Sequence, residues 1–149
     1  MTMKNRIVIK KLFGLFVILC AISLKVDAQI LHLYGGQNHD VYLGCLNCTK
    51  YDSNSIWNTY GSYGSKYNSK SIWNKYGDYG STYSQYSPFN NYASHPPVIV
   101  DKEGKFYGYF TISTVKSKRA DFELVKTIYK FYDMIRDDVS KWYDKIYKQ

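Results

Sequence analysis

Between residues 51 and 97 the chain has no leucine, valine or methionine, and Ile56 and Ile72 are its only large aliphatic side chains. An aliphatic core is excluded there, so any interior must be built from tyrosine, tryptophan and phenylalanine. Cysteine is scarce, and only Cys45 and Cys48 lie beyond residue 28. The sequence has no phosphate-binding loop, no G-x-S-x-G elbow and no H-E-x-x-H pair. His32, His39 and His95 read as loop residues without a nucleophile, so no catalytic constellation, metal set or cofactor is expected. Past the N-terminal segment no apolar run is long enough to cross a bilayer.

What fills the space is repetition. Residues 55–70 and 71–86 are back-to-back copies of one 16-residue unit, identical at Ser, Ile, Trp, Asn, Tyr, Gly, Tyr, Gly, Ser and Tyr. A third, decayed copy starts at Ser87, with Phe89, Asn90 and Tyr92 in the Trp, Asn and Tyr columns. A fixed period of this length signals stacked structural units. Glycine after tyrosine, and Ser or Asn at many other positions, disfavour long helices and favour turns. Each unit is expected to be a compact loop, with one helical turn at Ser55–Tyr60 and at Ser71–Tyr76. Stacking would set Trp57 over Trp73 and Phe89, and Tyr60 over Tyr76 and Tyr92. Such a ladder contributes about 0.5–1.5 kcal/mol per ring pair beyond burial.

The first 28 residues read as a targeting segment, with Lys4, Arg6, Lys10 and Lys11 ahead of an apolar stretch at Leu12–Leu24. Cleavage is expected after Ala28, giving a secreted or periplasmic protein; lipid attachment at Cys20 is disfavoured by the bulky residues before it. Five of the 20 Lys/Arg and one of the 12 Asp/Glu lie in that segment, leaving 15 against 11 and a formal charge of +4. An excess this small is usually just a solvated surface, though it also suits contact with anionic lipid or polysaccharide, and export argues against nucleic acid. For Cys45 and Cys48, a local disulfide is the leading reading in an oxidising compartment. The residues around them read as strand then turn, which argues against redox chemistry at a helix start. With His32 and His39 they form no common zinc spacing.

Two segments flank the repeats and resemble each other: Asp40–Asn47 can be laid on Gly104–Thr111, matching Gly44 to Gly108. Each follows a strand-like run, Ile30–Tyr34 or Val98–Asp101, and Asp101-Lys102-Glu103-Gly104 is a good hairpin turn. Two β-hairpins are expected, paired into one small antiparallel sheet. Pro96-Pro97 closes the repeat block with an extended approach to the second hairpin.

Leu43-Gly44, Tyr51-Asp52-Ser53-Asn54-Ser55-Ile56, Tyr60-Gly61, Tyr63-Gly64-Ser65, Tyr67 and Pro97-Val98-Ile99-Val100-Asp101 together resemble a widespread bacterial exported family. Its repeats have the form S-I-x-N-x-Y-G-x-Y-G-S-x-Y and lie between Y-L-G-x-L-type hairpins. The resemblance covers residues 41–113 and implies export and fold, with no activity attached. Thr59, Lys75 and Asn91 stand where many relatives carry proline, and Cys45 and Cys48 where many carry other residues.

Arg119–Lys148 reads as one amphipathic helix, its stripe made by Phe122, Val125, Tyr129, Tyr132, Ile135, Val139, Trp142 and Ile146. A helix of about 28 residues would run about 42 Å at 1.5 Å per residue, longer than so small a body. The leading reading is that the stripe packs along the sheet; the alternatives are that part of it meets a second copy, an envelope protein or, at a headgroup boundary, a membrane surface.

The expected class is α+β: two short hairpins flanking an aromatic turn-repeat block, then an amphipathic helix. The segments divide as 1–28, 29–115 and 116–149. Two functions follow. One is a non-enzymatic structural or interaction protein of the envelope, with the repeats as scaffold and the helix as docking element. The other is a glycan- or cell-wall-binding module using Trp57, Asn58, Tyr60, Trp73, Asn74, Tyr76, Phe89, Asn90 and Tyr92 as its sugar platform. Exposure of the Trp57–Trp73–Phe89 column separates them.

Overall fold

The structure, a computed structural model, describes residues 28–148. Residues 1–27, which hold Cys20 and all but the last residue of the targeting segment expected at 1–28, lie outside the described residues. The fold is α+β, as the sequence predicts.

Strands β1 (Leu31–Gly35), β2 (Val41–Cys45), β3 (Val98–Asp101) and β4 (Phe106–Tyr109) form one antiparallel sheet in the order β2-β1-β3-β4. The two hairpins therefore pair through their first strands, His32 facing Val100 and Leu33 facing Ile99. Alternation along β1 sends Leu31 and Leu33 into the core. In the second hairpin turn the Asp101 carboxylate accepts from the backbone N–H of Glu103 and of Lys105, both at 2.9 Å. Gly104, at φ +83°, completes that turn.

The resemblance between the flanking segments is structural. Gly44 and Gly108 both take positive φ, 111° and 123°, in the two edge strands. After each, the chain loops out and returns ten residues later to bridge in parallel, Cys45 with Ser55 and Tyr109 with Arg119. The hydrogen bonds correspond one for one: Cys45 N to Asn54 O and Ile56 N to Cys45 O, against Tyr109 N to Lys118 O and Ala120 N to Tyr109 O. An edge strand pinned this way has fewer free backbone groups to template aggregation. Cys45 and Cys48 are joined by a disulfide with the Cα atoms 5.6 Å apart, closing the turn after β2.

The repeat block is a column of turns with no helical turn in it. Ser, Asn, Asp or Gly at steps of three accepts from the backbone N–H three residues on, as at Asn58 to Ser55, Ser71 to Asn68 and Asn74 to Ser71, with one four-residue step in each unit, Ser65 to Gly61 and Ser81 to Gly77. The same side chains accept from the N–H two residues on: Trp57 N to Ser55 Oγ at 3.0 Å, Tyr76 N to Asn74 Oδ1 at 3.1 Å. Local bonds of this kind satisfy the backbone without a helix or a sheet. The layers stack as the sequence predicts, with Trp57 and Trp73 ring centres 5.7 Å apart and Trp73 and Phe89 6.0 Å apart. Each indole also reaches back one layer: Trp57 Nε1 donates to Leu46 O at 2.8 Å, and Trp73 Nε1 to Ile56 O at 2.6 Å.

The tail is two helices, α1 (Glu123–Asp137) and α2 (Val139–Tyr147), rather than one. Asp138 breaks it at φ −147° and ψ 81°; its N–H closes the first helix on Ile135 O and its side chain caps the second by accepting from Lys141 N. The bend lets both helices follow the column. Tyr132 stacks on Phe89 at 4.5 Å, and Tyr143 lies 5.9 Å from Trp57. The expected partner-helix face is therefore spent inside the chain. Val125, Tyr129, Ile135 and Val139 are buried, and Phe122, Tyr132, Trp142 and Ile146 pack on the same core. Tyr129 accepts from Thr111 N and donates to Ala120 O, and burial pushes its pKa up to about 12.

Lys50 ties α2 to the first layer, with Nζ 2.9 Å from Asp144 Oδ1. Hydrogen bonds from Lys50 and then Lys148 hold the Asp144 carboxyl below its usual value. A depressed carboxyl stabilises the fold above the unfolded pKa and loses that contribution as pH falls. The melting temperature of Asp144→Asn should therefore fall less than that of the wild type between about pH 5 and about pH 2. Parallel melting curves for the two proteins across that window would show the tie to be idle.

Candidate functional site

The 16-residue period also governs the outside of the column. Tyr51, Tyr67 and Tyr83 form one file and Tyr60, Tyr76 and Tyr92 a second, and all six are 82–100% exposed. A third tyrosine position, Tyr63 and Tyr79, turns inward, where Tyr63 meets Tyr42 edge-on at 5.0 Å. One residue type thus does two jobs, set only by its place in the layer.

Three clefts of nearly equal size, about 440, 470 and 490 Å³, lie one to a layer between the tyrosine files and the helices. Their linings correspond at steps of 16 residues: Tyr51, Trp57, Asn58 and Tyr60; Tyr67, Trp73, Asn74 and Tyr76; Tyr83, Phe89, Asn90 and Tyr92. The nine residues singled out from sequence are thus brought together three by three, but not as a solvent-facing platform. Trp57, Trp73 and Phe89 are each 1% exposed. With no aliphatic residues to do so, these rings must fill the core, and they form the cleft floors. The asparagines are committed as well. Asn58, Asn74 and Asn90 each donate from Nδ2 to the carbonyl six residues back and accept on Oδ1 from the N–H two residues on. Tyr60, Tyr76 and Tyr92 alone keep open ring faces, and Tyr51, Tyr67 and Tyr83 join them. That second file was signalled by the same period, since Tyr67 and Tyr83 occupy an identical column of the repeat.

The far wall comes from the helices: Ser140 at the first cleft, Arg136 and Asp137 at the second, Tyr132 at the third. Arg136 is buried, with its guanidinium carbon 5.2 Å from the ring centres of both Phe89 and Tyr132 and Nη2 donating to Gly80 O at 3.0 Å. Its Nε has no hydrogen-bond partner, and burial holds its pKa below the ordinary guanidinium value. Ring contacts offset part of that cost. The clefts differ in charge. Lys50 stands at the first, Lys66 and Lys75 at the second, and Thr82 and Asn91 take the corresponding places at the third.

The histidines lie apart from these three clefts, His32 and His39 lining a separate one of about 490 Å³ beside Val98 and Val100. His32 is on β1 rather than in a loop, its Nδ1 3.0 Å from the Tyr42 hydroxyl. His39 Nε2 is 3.0 Å from Pro96 O, and His95 stacks on Tyr86. Among the described residues no three His, Cys, Asp or Glu gather to hold a metal, and no helix is long and apolar enough to cross a membrane. Comparison with family models, curated proteins and solved structures finds no match to this chain.

Proposed function

We propose that this is an exported, non-enzymatic interaction protein of the cell envelope, whose rigid aromatic column holds two files of tyrosines out to a partner. The supporting observation is the exposure of six tyrosines at a strict 16-residue period, while the interior is filled by other rings at the same period. Exposed aromatics in ordered array are costly to leave in water and mark recognition surfaces. The resemblance to an exported family and the Cys45–Cys48 disulfide are in keeping with an oxidising compartment. The apolar helix stripe is covered, so docking passes from the helix to the tyrosine face.

Residues 29–149 carrying alanine at all six exposed tyrosines should keep the wild-type far-ultraviolet spectrum and a cooperative melting transition, since open surface positions change stability by about 0.5 kcal/mol or less each. Cosedimentation with a purified envelope fraction should be lost in that variant. Undiminished cosedimentation would rule out the tyrosine face as the binding surface.

A further inference from the structure

Taking the tyrosine face as the binding surface, we infer that its three clefts are tandem subsites for one linear, carboxylate-bearing polysaccharide, with the central cleft reading the negative charge. Three features point to this occupant. The first is periodicity: like clefts recur layer by layer, with floor rings 5.7 and 6.0 Å apart. A ligand that fills all three alike must itself repeat on a short pitch, as a chain of sugar rings does.

The second is the chemistry of the walls. Tyrosine offers a flat apolar face with a polar rim, which suits the face of a sugar ring and its hydroxyl edge. An extended peptide would seek free backbone groups for strand addition. Here the turns spend theirs internally, on i to i+3 bonds and on Ser and Asn side chains.

The third is charge. At the central cleft Lys66 Nζ lies 5.6 Å from the Tyr67 ring centre and Lys75 Nζ 5.2 Å from the Tyr76 ring centre. Among the described residues neither lysine has a carboxylate within ion-pair distance. At the first cleft the cation is already taken, since Lys50 pairs with Asp144. Arg136 and Asp137 on the far wall offset each other in formal charge, so Lys66 and Lys75 leave the lining with an excess of two positive charges, an arrangement matched by a sugar that bears a carboxylate. Occupying neighbouring clefts with one chain raises the effective concentration at each, so weak single sites add steeply.

The test is affinity electrophoresis of residues 29–149 through gels holding polygalacturonate, a neutral soluble cellulose derivative, or no polymer, beside flotation with phosphatidylglycerol vesicles. The wild type should be retarded by polygalacturonate well beyond the neutral chain. Tyr67→Ala with Tyr76→Ala should weaken that retention about tenfold or more. Lys66→Gln with Lys75→Gln should bring it down to the level of the neutral chain, and Lys102→Gln, on the hairpin turn, should leave it unchanged. Melting temperatures of all variants should match the wild type. Retention that ignores the tyrosines would mean a bare polyanion effect and would overturn the inference, as would equal retention on the neutral chain or binding to vesicles alone. If tyrosine-dependent envelope binding persists while neither polysaccharide retards the protein, the ligand assignment falls and the tyrosine face stands.

Discussion

Trp73→Ala is expected to remove most of the protein's stability. The side chain is buried at the centre of the column, between Trp57 on one side and Phe89 on the other. Emptying such a site costs about 3–5 kcal/mol, because the surrounding rings are held by their own layers and collapse only in part. The Ile56 carbonyl also loses the indole donor at 2.6 Å, and an orphaned buried acceptor adds about 1–3 kcal/mol. Against a total of about 5–15 kcal/mol for a domain, the loss is about half or more of the stability of a domain in the middle of that range. Trp73→Phe separates the two contributions, keeping a ring in the stack while removing the donor. Tyr76→Ala, three residues on, removes an 87% exposed side chain and should change stability by about 0.5 kcal/mol or less. Urea unfolding of the three variants measures the contrast. Equal midpoints for Trp73→Ala and Tyr76→Ala would mean that the aromatic column is not the core.

That contrast also marks how far the sequence can be read. The second hairpin was legible because β-branched and aromatic runs flank an Asp-x-x-Gly turn, the first because Asp40–Asn47 can be laid on Gly104–Thr111, and the stack because Trp57, Trp73 and Phe89 share one column of the repeat. Inside and outside were not legible for tyrosine. Tyr63 turns inward onto Tyr42 while Tyr60, three residues before it, is fully exposed, and nothing in the residue itself distinguishes them. Only the layer's winding does, and that winding follows a beat of Ser, Asn, Asp and Gly at steps of three with one step of four per unit, which reads at first as generic loop composition. The helix break hides for a different reason. Ile135, Val139 and Trp142 continue the apolar stripe across it at steps of four and three, with no proline or glycine to signal a stop. The one clue is Asp138, a good N-cap placed where a helix interior was expected. The clefts follow from both features, since they lie where wound layers and a bent helix pair run side by side.

Gly80→Ala should be nearly as damaging as Trp73→Ala, for a reason that composition alone does not give. Midway through the second copy the chain crosses its own backbone, and a Cβ on Gly80 would overlap the Asn74 carbonyl oxygen and lie 2.6 Å from Ile72 O. Both obstacles are main chain, so no side chain can swing aside to make room. Gly64 meets the Asn58 carbonyl in the same way one layer earlier. The Gly80 carbonyl also accepts from Arg136, so a displaced backbone would strip the buried guanidinium of its bond to the column. Overpacking against a fixed wall costs about 3 kcal/mol or more, and loss of a buried cation's partner adds to it. Gly104→Ala is the control. It has open space around it and only the strain of φ +83°, about 1–2 kcal/mol. Urea midpoints should therefore fall much further for Gly80→Ala than for Gly104→Ala, with Gly64→Ala following Gly80→Ala. If the two layer glycines instead prove as tolerant as the hairpin glycine, the copies are not wound backbone against backbone, and the equal clefts between them lose their common geometry.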